Sequence, residues 1–153
     1  VATASPHPSA DQVWTWLAEI PDPEIPVLNL VDLGVIRAVE WRGDTLRVVI
    51  SPTYSGCPAT SVIQMQVEDA LRAHGIARLD LERQLAPAWT TDWITEKGRA
   101  ALRDYGIAPP GSTTCPRCGS ANTHEISRFG STPCKAQWRC ADCLEPFDLF
   151  KCI

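Results

Sequence analysis

Four cysteines set the tightest constraint on how this chain can fold. "CPRC" and "CADC" place Cys115, Cys118, Cys140 and Cys143 as two C-x-x-C pairs with twenty-one residues between them. Each pair presents two thiolates from one turn, and two such turns brought together close a tetrahedron of four sulfurs. That ligand set suits a structural Zn2+, and tetrahedral iron takes the same four sulfurs. Four ligands leave no open coordination position, so no catalysis is assigned to this site. Around the pairs, "THEISRFG", "KAQWRC" and "EPFDLFKC" read as three strands. About forty residues cannot bury enough apolar surface to stand alone, so metal is expected to hold them folded. Residues 109–153 are therefore expected to form a β zinc ribbon.

Three cysteines remain. Cys134 and Cys152 fall inside the ribbon, and read either as small apolar residues or as a second thiol pair that handles a metal or cluster. His124 reads as a surface residue. An odd total of seven cysteines without an export signal favours thiolate–metal chemistry in a reducing cytoplasm over a disulfide framework. No apolar run approaches the ~20 residues needed to span a bilayer, so no membrane span is expected. The opening "VATASPHPSADQ" has no basic stretch ahead of an apolar core, and residues 1–10 read as a disordered lead. Net charge is -4. Residues 1–110 hold 9 basic and 14 acidic side chains, and residues 111–153 hold 5 and 4. Neither part is a basic patch, which argues against nucleic-acid binding.

Residues 11–108 read as a compact α+β domain with a small mixed sheet. "DQVWTWLAEI" predicts a helix capped by Asp11, with Val13, Trp14, Leu17 and Ile20 at helical spacing. Trp14 and Trp16 stand two apart and cannot share one helix face, so at least one is a candidate surface anchor. "PDPEIPVLN" holds three prolines in nine residues and predicts an extended loop presenting Asp22 and Glu24 to solvent. A turn closed by Gly34 and a hairpin over 35–51 follow. After "SPTYSGCPAT", the residues Ile63, Val67, Ala70, Leu71 and His74 mark one helix face, stopped by Gly75. "ARLDLERQL" alternates as a strand with Leu79, Leu81 and Leu85 on the buried side. The next helix puts Ile94, Gly98, Ala101, Leu102 and Tyr105 on one face. "APPGST" reads as the linker to the ribbon.

The last cysteine, Cys57, lies between Gly56 and Pro58 at the start of the long helix. With Pro58 at the first helical position, Cys57 is the N-cap, its sulfur facing free amides and the positive end of the helix dipole. That setting favours thiolate. It reads equally well as a small capping residue without chemistry. No histidine adjoins it; His74 lies near the far end of the helix, roughly 24 Å away at 1.5 Å per residue. A Cys–His hydrolase therefore has little support. Asp22 and Glu24 read either as a solvated turn or as hard ligands or a docking surface near Cys57.

"DPEIPVLNLVDLGVI" followed by "SPTYSGCPAT" resembles the iron–sulfur cluster assembly domain family that includes SufT. The signatures are Asp22-Pro23-Glu24 and the turn from Thr53 to Pro58, within residues 12–90. With "WTTDWITEKGRAALRDYGIAPP" and "FDLFKC", the chain resembles the phenylacetate-degradation branch, encoded beside the bacterial phenylacetyl-CoA ring-epoxidising oxygenase. The resemblance implies an accessory factor that matures the iron–sulfur cluster of that oxygenase's reductase. It implies that Cys57 is the reactive thiol, that Asp22 and Glu24 belong to its acidic loop, and that Thr53 presents it. Iron or a cluster would be handled transiently, without catalytic activity of its own, and a homodimer is left open. The alternative is a structural or regulatory subunit of the oxygenase complex without thiol chemistry.

Overall fold

The computed structural model describes residues 7–53 and 59–152. They fall into two compact units that divide between Trp89 and Thr90. The first unit mixes α and β elements, as expected; the second adds a helix to the expected β ribbon.

In the first unit, helix α1 (Ala10–Leu17) buries Val13 and Leu17. Its N-cap is Ser9 rather than Asp11: the Ser9 hydroxyl accepts the Gln12 N–H at 3.1 Å, and Asp11 sits in the first turn. Residues 7–10 are not a loose lead. His7 stacks on Trp41 with ring centroids 4.1 Å apart, and the Pro8 carbonyl accepts the Trp41 indole N–H at 2.9 Å. Neither Trp14 nor Trp16 is fully exposed, and Trp16 stacks on His74 at 3.9 Å.

The proline-rich segment is closed at its base by a bridge between Pro21 and Asn29. Asn29 caps the short helix α2 (Leu30–Leu33), accepting the Asp32 N–H at 2.8 Å while its amide donates to the Asp32 carboxylate at 2.7 Å. Gly34 ends that helix at φ 84°, a left-handed conformation that glycine adopts without a Cβ clash.

Strands β1 (Ile36–Arg42) and β2 (Thr45–Ile50) form the expected hairpin, and helix α3 (Ala59–Ala73) carries the chain to β3 (Leu79–Arg83). Strand order is β1-β2-β3, with β1 antiparallel and β3 parallel to β2. The parallel pairing follows from the helical crossover between β2 and β3. Leu46, Val48 and Ile50 are fully buried, and Ile63, Val67 and Leu71 give α3 its buried face. Leu85 departs from the predicted alternation. It lies past the end of β3 and is 58% exposed. On α3, His74 falls beyond the last helical residue and is exposed. Trp89 closes the unit, buried, with its indole N–H on the Leu33 carbonyl at 3.0 Å.

The second unit begins earlier than the Pro/Gly stretch suggested. A 3₁₀ turn (Thr91–Trp93) leads to α4 (Glu96–Tyr105) and the two-residue strand β4 (Ile107–Ala108). Strands β5 (Thr123–Ser127), β6 (Lys135–Cys140) and β7 (Pro146–Phe150) complete a sheet of order β4-β7-β6-β5. β4 runs parallel to β7, and the Arg99 guanidinium donates to the carbonyls of Thr91 and Pro110. The Arg99 bonds brace residues 91–110 and the β4–β7 pairing ties them to the ribbon strands, so the expected 108/109 boundary falls inside a continuous unit. Gly98 and Leu102 face inward on α4, but Tyr105 is 72% exposed. Gly130 allows the β5–β6 connection to close: a Cβ there would stand 2.9 Å from the Lys135 carbonyl oxygen.

Candidate metal centre and acidic loop

The ribbon brings Cys115, Cys118, Cys140 and Cys143 together, with all four sulfurs within 4.8 Å of one another. Cys115 and Cys140 are buried, Cys143 is half-buried and Cys118 exposed. The Cys115–Cys143 and Cys118–Cys140 sulfur separations are 3.8 and 3.5 Å. An ion at the usual Zn–S length of about 2.3 Å, in tetrahedral geometry, sets sulfurs about 3.8 Å apart. The donor set therefore fits a four-coordinate metal, and it is the one such cluster among the described residues.

Local backbone geometry makes the site. In the first knuckle the Gly119 N–H bonds the Cys115 carbonyl at 2.9 Å, and the Cys115 N–H bonds the Ser120 carbonyl at 2.9 Å. In the second, the Cys143 N–H points at the Cys140 sulfur at 3.5 Å and Leu144 turns the chain at φ 67°. The Cys143 amide, the largest influence, helps draw the Cys140 thiol down to about 7. The Ser120 amide lowers Cys118, but Cys140, burial and the other two thiols push it up to about 12. Four crowded thiols resist joint ionisation, and a bound cation supplies the compensating charge.

A polar clasp, not visible as a motif, joins the knuckles. Asp142, between the cysteines of the second pair, accepts the Ser120 hydroxyl and the Asn122 side-chain amide, the latter at 3.3 Å. The Ala141 N–H also bonds the Asn122 carbonyl at 2.9 Å. The Ser120 bond, then the Asn122 bond, hold the Asp142 carboxyl below its usual range. The only signal in the sequence was small polar residues immediately after one ligand pair and between the other.

Cys134 and Cys152 have different surroundings. Cys134 is buried, with its sulfur 3.0 Å from the Thr132 hydroxyl. The Lys151 N–H bonds the Cys134 carbonyl at 2.8 Å, extending the β6–β7 register, which sets Cys134 opposite Lys151 rather than Cys152. Cys152 is exposed.

Asp22 is not presented to solvent, contrary to expectation. It is only 5% exposed, and one carboxylate oxygen accepts the N–H groups of Glu24 at 2.9 Å and Ile25 at 2.8 Å. Proline-rich sequence left these amides without regular partners, and the aspartate supplies the acceptor from inside the turn. Burial raises its carboxyl above the usual range, while the two amides oppose that shift. Glu24 is half-buried. The Ser51 N–H bonds the Val35 carbonyl at 2.8 Å, so the stretch after α2 lies beside the stretch leading to Thr53, which is half-buried. Cys57 and its expected N-cap geometry lie outside the described residues.

Comparison with known proteins places both units. Residues 10–76 match the family profile described as iron-sulfur cluster assembly protein, and residues 105–151 match the PaaD zinc beta ribbon domain. Two solved structures share the fold of the first part. One is a domain of unknown function, DUF59, from Bacillus anthracis, 20% identical with TM-score 0.57, covering 61% of this chain and 90% of that one. The other is a conserved hypothetical protein from Thermotoga maritima, 22% identical with TM-score 0.55, covering 65% and 98%. A protein of Escherichia coli K12 is 47% identical over 163 aligned positions, 100% of this chain and 98% of that protein. Its description reads "Putative 1,2-phenylacetyl-CoA epoxidase" and names it as one of the subunits of that enzyme. The chain belongs to the PaaD family, in which an iron–sulfur cluster assembly domain precedes a four-cysteine zinc ribbon.

Proposed function

We propose that this protein is an accessory factor of aerobic phenylacetate catabolism that helps load the iron–sulfur cluster of a phenylacetyl-CoA epoxidase. The observation that carries the reading is a pairing in one chain. An iron-sulfur assembly match over residues 10–76 coexists with full-length similarity to a protein described as part of that epoxidase. Cys57 is the cargo-handling thiol, Thr53 belongs to the turn that presents it, and Glu24 is the carboxylate of the acidic loop with access to solvent. Asp22 shapes that loop from within. Iron or a cluster is cargo here, passed to the reductase component. Zinc in the ribbon holds the second unit folded and takes no part in chemistry, since all four positions are filled by thiolates.

The test is reconstitution with iron and sulfide, read by visible absorption, on wild type and Cys57→Ala. The expected result is a charge-transfer band in wild type that the variant loses, together with lower cluster content in a reductase co-expressed with the variant. Equal cluster occupancy in both would overturn the reading.

A second reading is favoured by the relative's own description as a subunit. On it the protein is a structural member of the epoxidase complex. It would then copurify in fixed ratio with the other subunits, and Cys57→Ser would change nothing.

A further inference from the structure

A cavity of about 330 Å³ opens in the first unit, bordered by the segment His7-Pro8, the end of β1 and the turn that joins α3 to β3. Its side chains include His7, Trp41, Asp44, His74 and Arg78. None of these belongs to the acidic loop or the cysteine sites.

Two π-stacked pairs reach it, through both rings of one and through His74 of the other. His7 lies on Trp41 with an interplanar angle of 12°, and His74 lies on Trp16 with an angle of 6°. Trp41 is fixed by its indole N–H on the Pro8 carbonyl at 2.9 Å. Asp44 is engaged by His7, with Nε2 3.2 Å from its carboxylate. Arg78 has no carboxylate partner among the described residues, so its guanidinium is free to pair at the rim, while the Asp44 carboxylate is turned to His7. A volume at the small end of ligand pockets, flat polarisable walls and one free fork of N–H donors select a small flat anion.

We propose that this cavity binds a single-ring aromatic anion, with Arg78 holding the carboxylate or phosphate and the Trp41 side of the cavity meeting the ring. The chemistry does not distinguish the two anionic groups, so both are tested.

The full chain, labelled with 15N, is titrated separately with benzoate and with phenyl phosphate. The Trp41 indole N–H resonance reports the site. The expected result is a saturable shift with one or both probes, weakened at least about tenfold in Arg78→Gln. Arg103→Gln on α4 should leave the affinity unchanged. Whichever probe saturates at lower concentration identifies the preferred anion. Three results would overturn the proposal: no saturation by either probe up to about 10 mM, equal binding of neutral phenol, or equal binding by Arg78→Gln. Inorganic phosphate binding as tightly as phenyl phosphate would remove the aromatic part of the assignment. Arg78 is exposed, so the variant is expected to fold.

Discussion

Replacing Asp22 separates its structural role from any role as a ligand. In Asp22→Ala two amides lose their acceptor. The Ile25 N–H is buried, and leaving it unsatisfied costs about 1–3 kcal/mol; the Glu24 N–H is part-buried and recovers some hydration. Adding the lost charge-assisted bonds, the expected destabilisation is about 2–4 kcal/mol. Asp22→Asn keeps an oxygen that can accept both amides and removes a buried charge, so its cost should stay within about 1 kcal/mol. With a urea slope of about 2 kcal/mol per M, the two variants should differ in midpoint by roughly 1 M.

The pH dependence gives a second handle. The folded-state carboxyl is raised by burial above its unfolded value. Between the unfolded value, about 3.9, and the folded one, the native state binds more protons, so wild-type stability falls as pH rises through that window. Above the folded value the penalty is constant. Asparagine does not titrate. The stability of wild type relative to Asp22→Asn should therefore decline from about pH 4 upward and then level off. Urea melts of both variants, followed by tryptophan fluorescence, check this. An asparagine as damaging as alanine would refute the argument, as would wild type gaining on asparagine with rising pH.

Other expectations concern the metal unit and the packing around it. Chelation of the ribbon metal, or Cys140→Ser, should abolish the β5–β7 amide dispersion in an HSQC spectrum while leaving residues 10–53 dispersed. Asp142→Ala should keep the four thiols but speed metal release to a chromogenic chelator several-fold, because the Ser120 and Asn122 bonds between knuckles are lost; an unchanged release rate would show the clasp to be incidental. The same clasp should weaken in wild type as pH falls through the depressed Asp142 value, since a carboxyl lowered in the folded state contributes above its unfolded pKa and loses that contribution on protonation. Trp89→Phe removes the bond to the Leu33 carbonyl and should cost about 1–2 kcal/mol by urea denaturation, with little change in circular dichroism.

The amino-acid sequence alone determined what depends on local pattern. Paired cysteines at fixed spacing specified a four-sulfur site, because a C-x-x-C turn positions two thiolates whatever surrounds it. Alternation and helical periodicity located the hairpin, the long helix and the strand after it, since side-chain period follows directly from backbone geometry. Tertiary structure decided what depends on partners distant in the chain. Asp22 looked like an exposed acid because carboxylates usually are, yet orphan amides in the same turn drew it inward. The two-residue β4 carries no periodicity of its own, and only pairing with β7, about forty residues later, reveals it and moves the boundary of the second unit to Trp89–Thr90. Likewise, no spacing rule predicts that His7 meets Trp41 or that Asp142 meets Ser120. Such contacts form where chain reversals bring separate segments into register, and that information lies in the packing rather than in any window of residues.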